Sequence, residues 1–161
     1  ATATGASILN VHASGGLEMM RAAAEAATEG AAMHGVARPI VVAVTVLTSM
    51  DEGDLEAVGQ PTPPHDQVIR LAKLTKSAGL DGVVCSPKEA AAVRESCGDS
   101  FVRIVPGIRP SWSATNDQKR FTTPKQALSD GASYLVIGRP ITQAEDPVEA
   151  AFRIATELEG E

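Results

Sequence analysis

The feature of this sequence that most restricts its fold is a regular alternation of five apolar runs with helical patterns. We predict strands over residues 8–12, 39–47, 81–85, 101–105 and 133–137. We predict helices over residues 17–28, 66–77 and 87–97, and further helices beginning near residues 124 and 147. Residues 48–65 are expected to form a long polar connection. Alternation of buried strands with helices predicts a parallel sheet joined by right-handed crossovers.

Two architectures are compatible with this alternation in a single domain of 161 residues, 1–161. One is a five-stranded doubly wound flavodoxin-like sheet, which fits the length directly. The other is part of a (β/α)8 TIM barrel, an α/β fold that usually needs ~250 residues. Length alone favours the doubly wound sheet.

Composition narrows the classes of function. The net charge of −6 argues against nucleic acid or anionic membranes as bulk partners. No apolar run approaches the ~18 residues that a membrane span requires. The two cysteines, Cys85 and Cys97, have no metal-site spacing and indicate reduced thiols in a cytoplasmic protein. We expect neither a metal nor a cofactor.

Two arginine-containing segments follow neighbouring predicted strands, and together they indicate a phosphate site. Arg109 lies in the segment 106–110, and Arg139 follows Gly138 in the segment 137–140. Either segment alone is also compatible with a plain turn carrying a surface arginine. Because parallel strands lie ~4.8 Å apart, both guanidinium groups can reach one anion. Gln118, in the loop after Arg109, is placed to close over the same ligand.

Other strand ends give weaker signals. Thr48 and Ser49 follow the second strand, where hydroxyl groups serve a polar ligand or cap the loop. His12 ends the first strand, a position more typical of a structural donor than of a catalytic group. The sequence contains no nucleotide-binding glycine loop, nucleophile elbow or zinc-protease motif. The lysines at 73, 76 and 88 fall on predicted helices, so no catalytic lysine is nominated.

Several segments taken together resemble the orotidine 5′-phosphate decarboxylase family, in its bacterial type. They are residues 10–16, 43–49, 79–86, 106–110, 117–118 and 136–140, in the family's order and spacing. The resemblance extends over essentially the whole chain. It implies a (β/α)8 barrel in which the five units here are strands four to eight. This differs from the doubly wound sheet that the chain length favours. The resemblance also implies a cytosolic homodimer that converts orotidine 5′-monophosphate to uridine 5′-monophosphate without a cofactor, in pyrimidine biosynthesis.

The resemblance assigns roles to individual residues. Arg139 and the Gly138 backbone would hold the 5′-phosphate, with Gln118 closing from its loop and Arg109 assisting. Thr48 would contact the nucleotide near the pyrimidine. An apolar wall beside the departing carboxylate would come from Leu47, Val84 and Pro106. His12 receives no role.

One family motif is missing. The family's catalytic network alternates Lys and Asp, mostly within an Asp-x-Lys-x-x-Asp motif. The only Asp-x-Lys here is Asp117-Gln118-Lys119, and Thr122 stands where the second Asp is required. The chain begins just after the point where the motif should end. We therefore expect no catalytic residue in this chain, and we expect it to be the C-terminal part of a longer protein.

Two alternatives stay open on the sequence. One is another phosphate-binding barrel enzyme, such as a sugar-phosphate synthase or epimerase. The other is a non-catalytic five-stranded binding domain, which takes the length at face value.

Overall fold

A five-stranded sheet with helices between its strands forms the centre of the molecule. The computed structural model describes residues 1–113 and 122–159. The strands are β1 Ile8–His12, β2 Ile40–Val44, β3 Gly82–Val84, β4 Val102–Pro106 and β5 Tyr134–Val136. The helices are α1 Leu17–His34, α2 Glu52–Ala57, α3 Pro64–Ser77, α4 Pro87–Cys97, α5 Pro124–Ser129, α6 Arg139–Thr142 and α7 Pro147–Glu159. Single 3-10 turns precede β1 and follow it.

The strands lie side by side in chain order, and every neighbouring pair is parallel. A doubly wound sheet requires a point where the strand order reverses. The order β1-β2-β3-β4-β5 has no such point, so the preference from length for a flavodoxin-like sheet is wrong. Each right-handed crossover leads to the next strand on the same side. All the crossover helices therefore lie on one face of the sheet, as in the wall of a barrel.

The two faces of the sheet have different surroundings. Val41, Ala43 and Val83 belong to one apolar core with the side chains of α1, α3 and α4. Successive side chains of a strand point to opposite faces, so Val44 and its register neighbours lie on the face away from these helices. This second face is buried at the central strands but open at β5, where Tyr134 is 45% exposed.

The predicted elements are largely confirmed, with three differences. The short helix α6 directly follows β5, where no helix was predicted. Helix α1 continues to His34 instead of ending near residue 28, because alanine-rich sequence carries it on to Gly35, whose φ of 63° ends it. Helix α2 lies inside the predicted polar connection. Its start is a capping box in which the Asp51 and Asp54 carboxylates each accept the other residue's backbone N–H, at 3.0 and 3.1 Å.

A buried arginine joins the sheet to two helix ends. The Arg103 side chain, 6% exposed, leaves the middle of β4 and donates only to backbone carbonyls among the described residues. Its Nη1 bonds Phe101 at 2.6 Å and both Gly98 and Asp99 at 3.3 Å, and its Nε bonds Gly131. These carbonyls follow α4 and α5, so Arg103 fixes both helices against the strand that leads to Arg109.

Gly82 permits the close approach of β3 and β4. A Cβ atom at this position would lie 2.2 Å from the Val102 carbonyl oxygen and 2.5 Å from the Val102 Cβ. We expect Gly82→Ala to destabilise the fold by about 2–3 kcal/mol, since neither strand can move without breaking the sheet. Urea denaturation measures the change. The control is Gly53→Ala in α2, where the helical position favours alanine; equal midpoints for both variants would contradict this reading.

Candidate functional site

Two cavities open along the carboxyl edge of the sheet, where parallel α/β proteins bind ligands. The central cavity, about 420 Å³, lies beyond β2, β3 and β4. The arginine pocket, about 250 Å³, lies beyond β4 and β5 and is lined by Arg109, Trp112, Ser113, Arg139, Pro140, Gln143 and Ala144. Among the described residues, the lining of this pocket contains two guanidinium groups and no carboxylate. Such a charge balance suits an anion with several oxygens.

Arg109 is held in place by the segment that follows β4. Ile108 forms a parallel bridge with Thr122, and the Arg109 N–H donates to the Thr122 carbonyl at 3.1 Å. The chain then turns, and both the backbone N–H and the hydroxyl of Ser113 donate to the Pro110 carbonyl at 3.1 Å. The Arg109 side chain is 7% exposed. The pocket therefore has one wall whose backbone is pinned on both sides of the arginine.

Arg139 is the first residue of α6, directly after β5. Gly138 precedes it and accepts the N–H groups of Ile141 and Thr142 at 2.8 and 3.0 Å. A Cβ atom at Gly138 would meet nothing within 4 Å, so packing within the described chain does not require glycine there. The exposed Arg139 side chain has no hydrogen bond or ion pair with any described residue. Its charge is thus free to meet a ligand.

The central cavity contains both apolar and charged groups. Leu47, Thr48 and Pro106 line it, as does Lys88 in the first turn of α4. Sequence reasoning set Lys88 aside because it falls on a helix. The connection from β3 to α4 is so short that the first turn of the helix reaches the edge of the sheet. The short spacing between the predicted strand and helix could have indicated that Lys88 lies near the site.

Carboxylates accompany that lysine. Asp51, Glu52 and Glu89 also line the central cavity, and the Ser86 hydroxyl donates to the Glu89 carboxylate. Ser86 and Glu89 are placed by the start of α4, which Pro87 opens. The lining of the central cavity therefore combines charged, polar and apolar side chains.

Two further residues considered from the sequence, Val84 and His12, line neither cavity. Val84 pairs in register with Val44 and Ile104, half-buried on the face away from the helices. His12 is exposed at the end of β1. Gln118 falls outside the described residues. The structure thus groups Leu47, Thr48 and Pro106 in one cavity and the two arginines in the other.

Cys85, between β3 and α4, is 1% exposed, and burial raises the pKa of its thiol to about 12, with the Glu89 carboxylate adding to the effect. We expect no alkylation of Cys85 by iodoacetamide at pH 8 in the folded protein, and rapid alkylation in guanidinium chloride. Peptide mapping by mass spectrometry measures both. Unfolding returns the thiol to its ordinary pKa of 9.0, so this residue lowers stability as the pH rises from about 9 toward 12. Fast labelling of the native protein would contradict this assignment.

Within residues 1–113 and 122–159, no group of three or more His, Cys, Asp or Glu side chains is arranged to hold a metal ion. Within the same ranges, no helix is both long and apolar enough to cross a membrane.

The sequential parallel sheet defines a barrel-type α/β protein, and two arginines line one pocket at the carboxyl edge of that sheet. The chain belongs to the orotidine 5′-phosphate decarboxylase / HUMPS family, whose sequence profile matches residues 1–154. A relative from Paramagnetospirillum magneticum, named orotidine 5′-phosphate decarboxylase, is 57% identical over 154 residues, or 96% of this chain and 66% of the relative.

Solved structures agree with this placement. A crystal structure of orotidine 5′-phosphate decarboxylase from Lactobacillus acidophilus is 37% identical with a TM-score of 0.81, over 99% of this chain and 66% of that one. The orotidine 5′-monophosphate decarboxylase from Sulfolobus solfataricus is 16% identical with a TM-score of 0.64, over 95% and 61% of the two chains, and shares the fold. The five parallel strands are part of a TIM barrel. The chain spans slightly less than two thirds of these relatives' length.

Proposed function

We propose that the protein is an orotidine 5′-monophosphate decarboxylase that forms uridine 5′-monophosphate without a cofactor, as a step of pyrimidine biosynthesis. One observation carries the proposal: Arg109 and Arg139 line a single pocket beside a second, larger cavity on the same sheet edge. A nucleoside monophosphate has this layout, with a dianionic group at one end and a planar base at the other. Relatives that are 57% identical and named for this activity support the same assignment.

The segment after β4 connects the two cavities. Pro106 and Gly107 line the central cavity, whereas Arg109 lines the arginine pocket. A ligand lying along this segment would place its phosphate between the guanidinium groups and its base against Pro106. In this proposed arrangement the Gly138 backbone and Arg139 bind the phosphate and Arg109 assists. Gln118, which lies outside the described residues, is assigned to the same phosphate.

The base end has polar and apolar neighbours. Thr48 offers a hydroxyl group toward the pyrimidine, and Leu47, with its side chain half exposed, offers apolar surface beside it. Leu47, Val84 and Pro106 are proposed as the apolar wall next to the departing carboxylate. Apolar surroundings disfavour a carboxylate and favour its loss as neutral carbon dioxide.

The rest of the chemistry is assigned to residues outside this chain. A charged network of Lys and Asp would disfavour the substrate carboxylate, and a lysine would protonate the carbon left behind. The phosphate grip acts far from that carbon and supplies binding energy that aligns the base. The same proposal includes a homodimer in the cytoplasm, with residues 1–161 as a single domain that forms the C-terminal portion of the barrel.

Ligand-induced thermal stabilisation separates this function from its alternatives. We expect uridine 5′-monophosphate to raise the melting temperature and ribose 5-phosphate to have little effect at equal concentration, since only the nucleotide fills both cavities. Stabilisation by ribose 5-phosphate alone would favour a sugar-phosphate enzyme. Indifference to both ligands would favour a non-catalytic domain. Release of carbon dioxide from orotidine 5′-monophosphate by the full-length protein tests the reaction itself.

A further inference from the structure

Trp112 is part of the arginine pocket, yet no role has been assigned to it. It is the only tryptophan of the chain, and it lines the pocket together with Arg109 and Arg139. The Arg153 guanidinium carbon lies 4.3 Å from the centroid of its indole ring, within the range of a cation–π contact. Arg153 does not line the pocket itself. The indole therefore contacts the pocket, and Arg153 holds the indole.

The ring depends on this contact for its orientation. The indole Nε1–H is shielded from solvent and has no hydrogen-bond partner among the described residues, although a buried tryptophan usually satisfies this donor. Glu157, one turn after Arg153 on α7, has a shielded carboxylate oxygen that is likewise unpaired within the described part of the chain. The indole N–H makes no hydrogen bond to a described residue that would orient the ring. Among the described residues, the cation–π contact with Arg153 is therefore the polar interaction that restrains the Trp112 ring.

The contact also ties two segments of the pocket together. Trp112 belongs to the turn that follows Arg109, after β4. Arg153 belongs to α7, which packs on α6, the helix that begins with Arg139. The start of α7 is itself fixed, because the Asp146 carboxylate accepts the N–H groups of Val148 and Glu149 at 2.9 and 3.0 Å. A contact between Trp112 and Arg153 thus restrains the Arg109 segment relative to the Arg139 segment.

We propose that Trp112 and Arg153 are a positioning pair that fixes the wall of the arginine pocket, so that α7 sets the pocket's affinity for a phosphomonoester. This inference rests on the proposed function in taking the ligand to be a phosphomonoester. Two guanidinium groups that are already held at one spacing bind a phosphate more tightly than two that must first be brought together. The pair acts through the two arginines and does not touch the reacting atoms.

Isothermal titration of the full chain with uridine 5′-monophosphate, inorganic phosphate and uridine tests the pair. We expect Arg153→Met to weaken binding of both phosphate ligands by about fivefold and to leave the affinity for uridine unchanged. Arg153→Lys restores part of the loss because it keeps the cation. Trp112→Phe keeps a ring and is expected to lose less affinity than Trp112→Ala. The fluorescence of Trp112 is expected to shift to longer wavelength in Arg153→Met.

A double-mutant cycle separates positioning from a direct effect of the Arg153 charge. In a Trp112→Ala background, Arg153→Met is expected to cause no further loss of phosphate affinity. A full fivefold loss in that background would overturn the positioning role, as would unchanged affinity in the single variant. The control Arg21→Met removes an exposed cation on α1 and is expected to change nothing.

The outcomes also separate this inference from the proposed function. Suppose that the substitutions at Trp112 and Arg153 weaken phosphate binding but the wild type does not prefer the uridine nucleotide. The positioning role of the pair is then supported and the decarboxylase assignment is contradicted. If the wild type prefers the nucleotide and the variants bind phosphate ligands as tightly as the wild type, the decarboxylase assignment is supported and the positioning role is contradicted. If it binds none of these ligands, both are overturned.

Discussion

Replacing Arg139 by alanine is expected to weaken binding of uridine 5′-monophosphate by about a hundredfold, because a charge-assisted contact to phosphate contributes roughly 3 kcal/mol at most. In the full-length protein the same change is expected to raise KM strongly and to lower kcat/KM by about the same free energy. Arg139 is exposed, and among the described residues it has no competing partner. Its removal therefore costs ligand affinity and leaves the fold intact. Calorimetric titration and steady-state kinetics measure the two effects.

The control for Arg139 is a cation of similar exposure far from the pocket. Arg21 pairs with Glu18 at 3.1 Å on the surface of α1, and Arg21→Ala is expected to leave nucleotide affinity unchanged. Uridine, which lacks the phosphate, is expected to bind the wild type and Arg139→Ala equally. Near-normal kcat/KM for Arg139→Ala would contradict the phosphate assignment.

Replacing Arg103 by methionine is expected to lower the free energy of unfolding by about 2–4 kcal/mol, since several charge-assisted bonds to buried carbonyls are lost together. Methionine matches the unbranched apolar stem of arginine but lacks the guanidinium, so packing around the stem changes little. The carbonyls after α4 and α5 lose their buried donor. Urea denaturation followed by circular dichroism measures the change.

Arg21→Met is the matched control for Arg103→Met, because it makes the same chemical change in an exposed ion pair. Its effect on stability is expected to stay within about 0.5 kcal/mol. Equal urea midpoints for Arg103→Met and the wild type would show that the carbonyl contacts of Arg103 contribute nothing net.

The parallel sheet could be predicted because its central strands are buried on both faces and stand out as continuous apolar runs. Strand order could not be predicted from that pattern, since both candidate architectures alternate strands and helices in the same way. The resemblance to a barrel family favoured the right one, and the sequential order of β1 to β5 confirms it. Helix α2 was missed because it is short and polar, although Asp51 and Asp54 have capping-box spacing.

The site was predictable where a side chain directly follows a strand. Arg109 and Arg139 share a pocket because adjacent parallel strands end at the same edge of the sheet. Lys88 and Trp112 were missed because they lie in a helix and a turn, where sequence spacing does not fix direction. Val84 was expected in the apolar wall but lines neither cavity. Alternation along β3 places it on the face of the sheet away from the helices, and its role in the wall stays a prediction.

A crystal structure of the protein with uridine 5′-monophosphate is the most direct test of the central claim, that the arginine pocket holds a nucleotide's phosphate. We expect the phosphate oxygens within hydrogen-bonding distance of both the Arg109 and the Arg139 guanidinium groups, with the base in the central cavity beside Thr48 and Pro106. A phosphate bound anywhere else, or a nucleotide whose base occupies the arginine pocket, would contradict the claim.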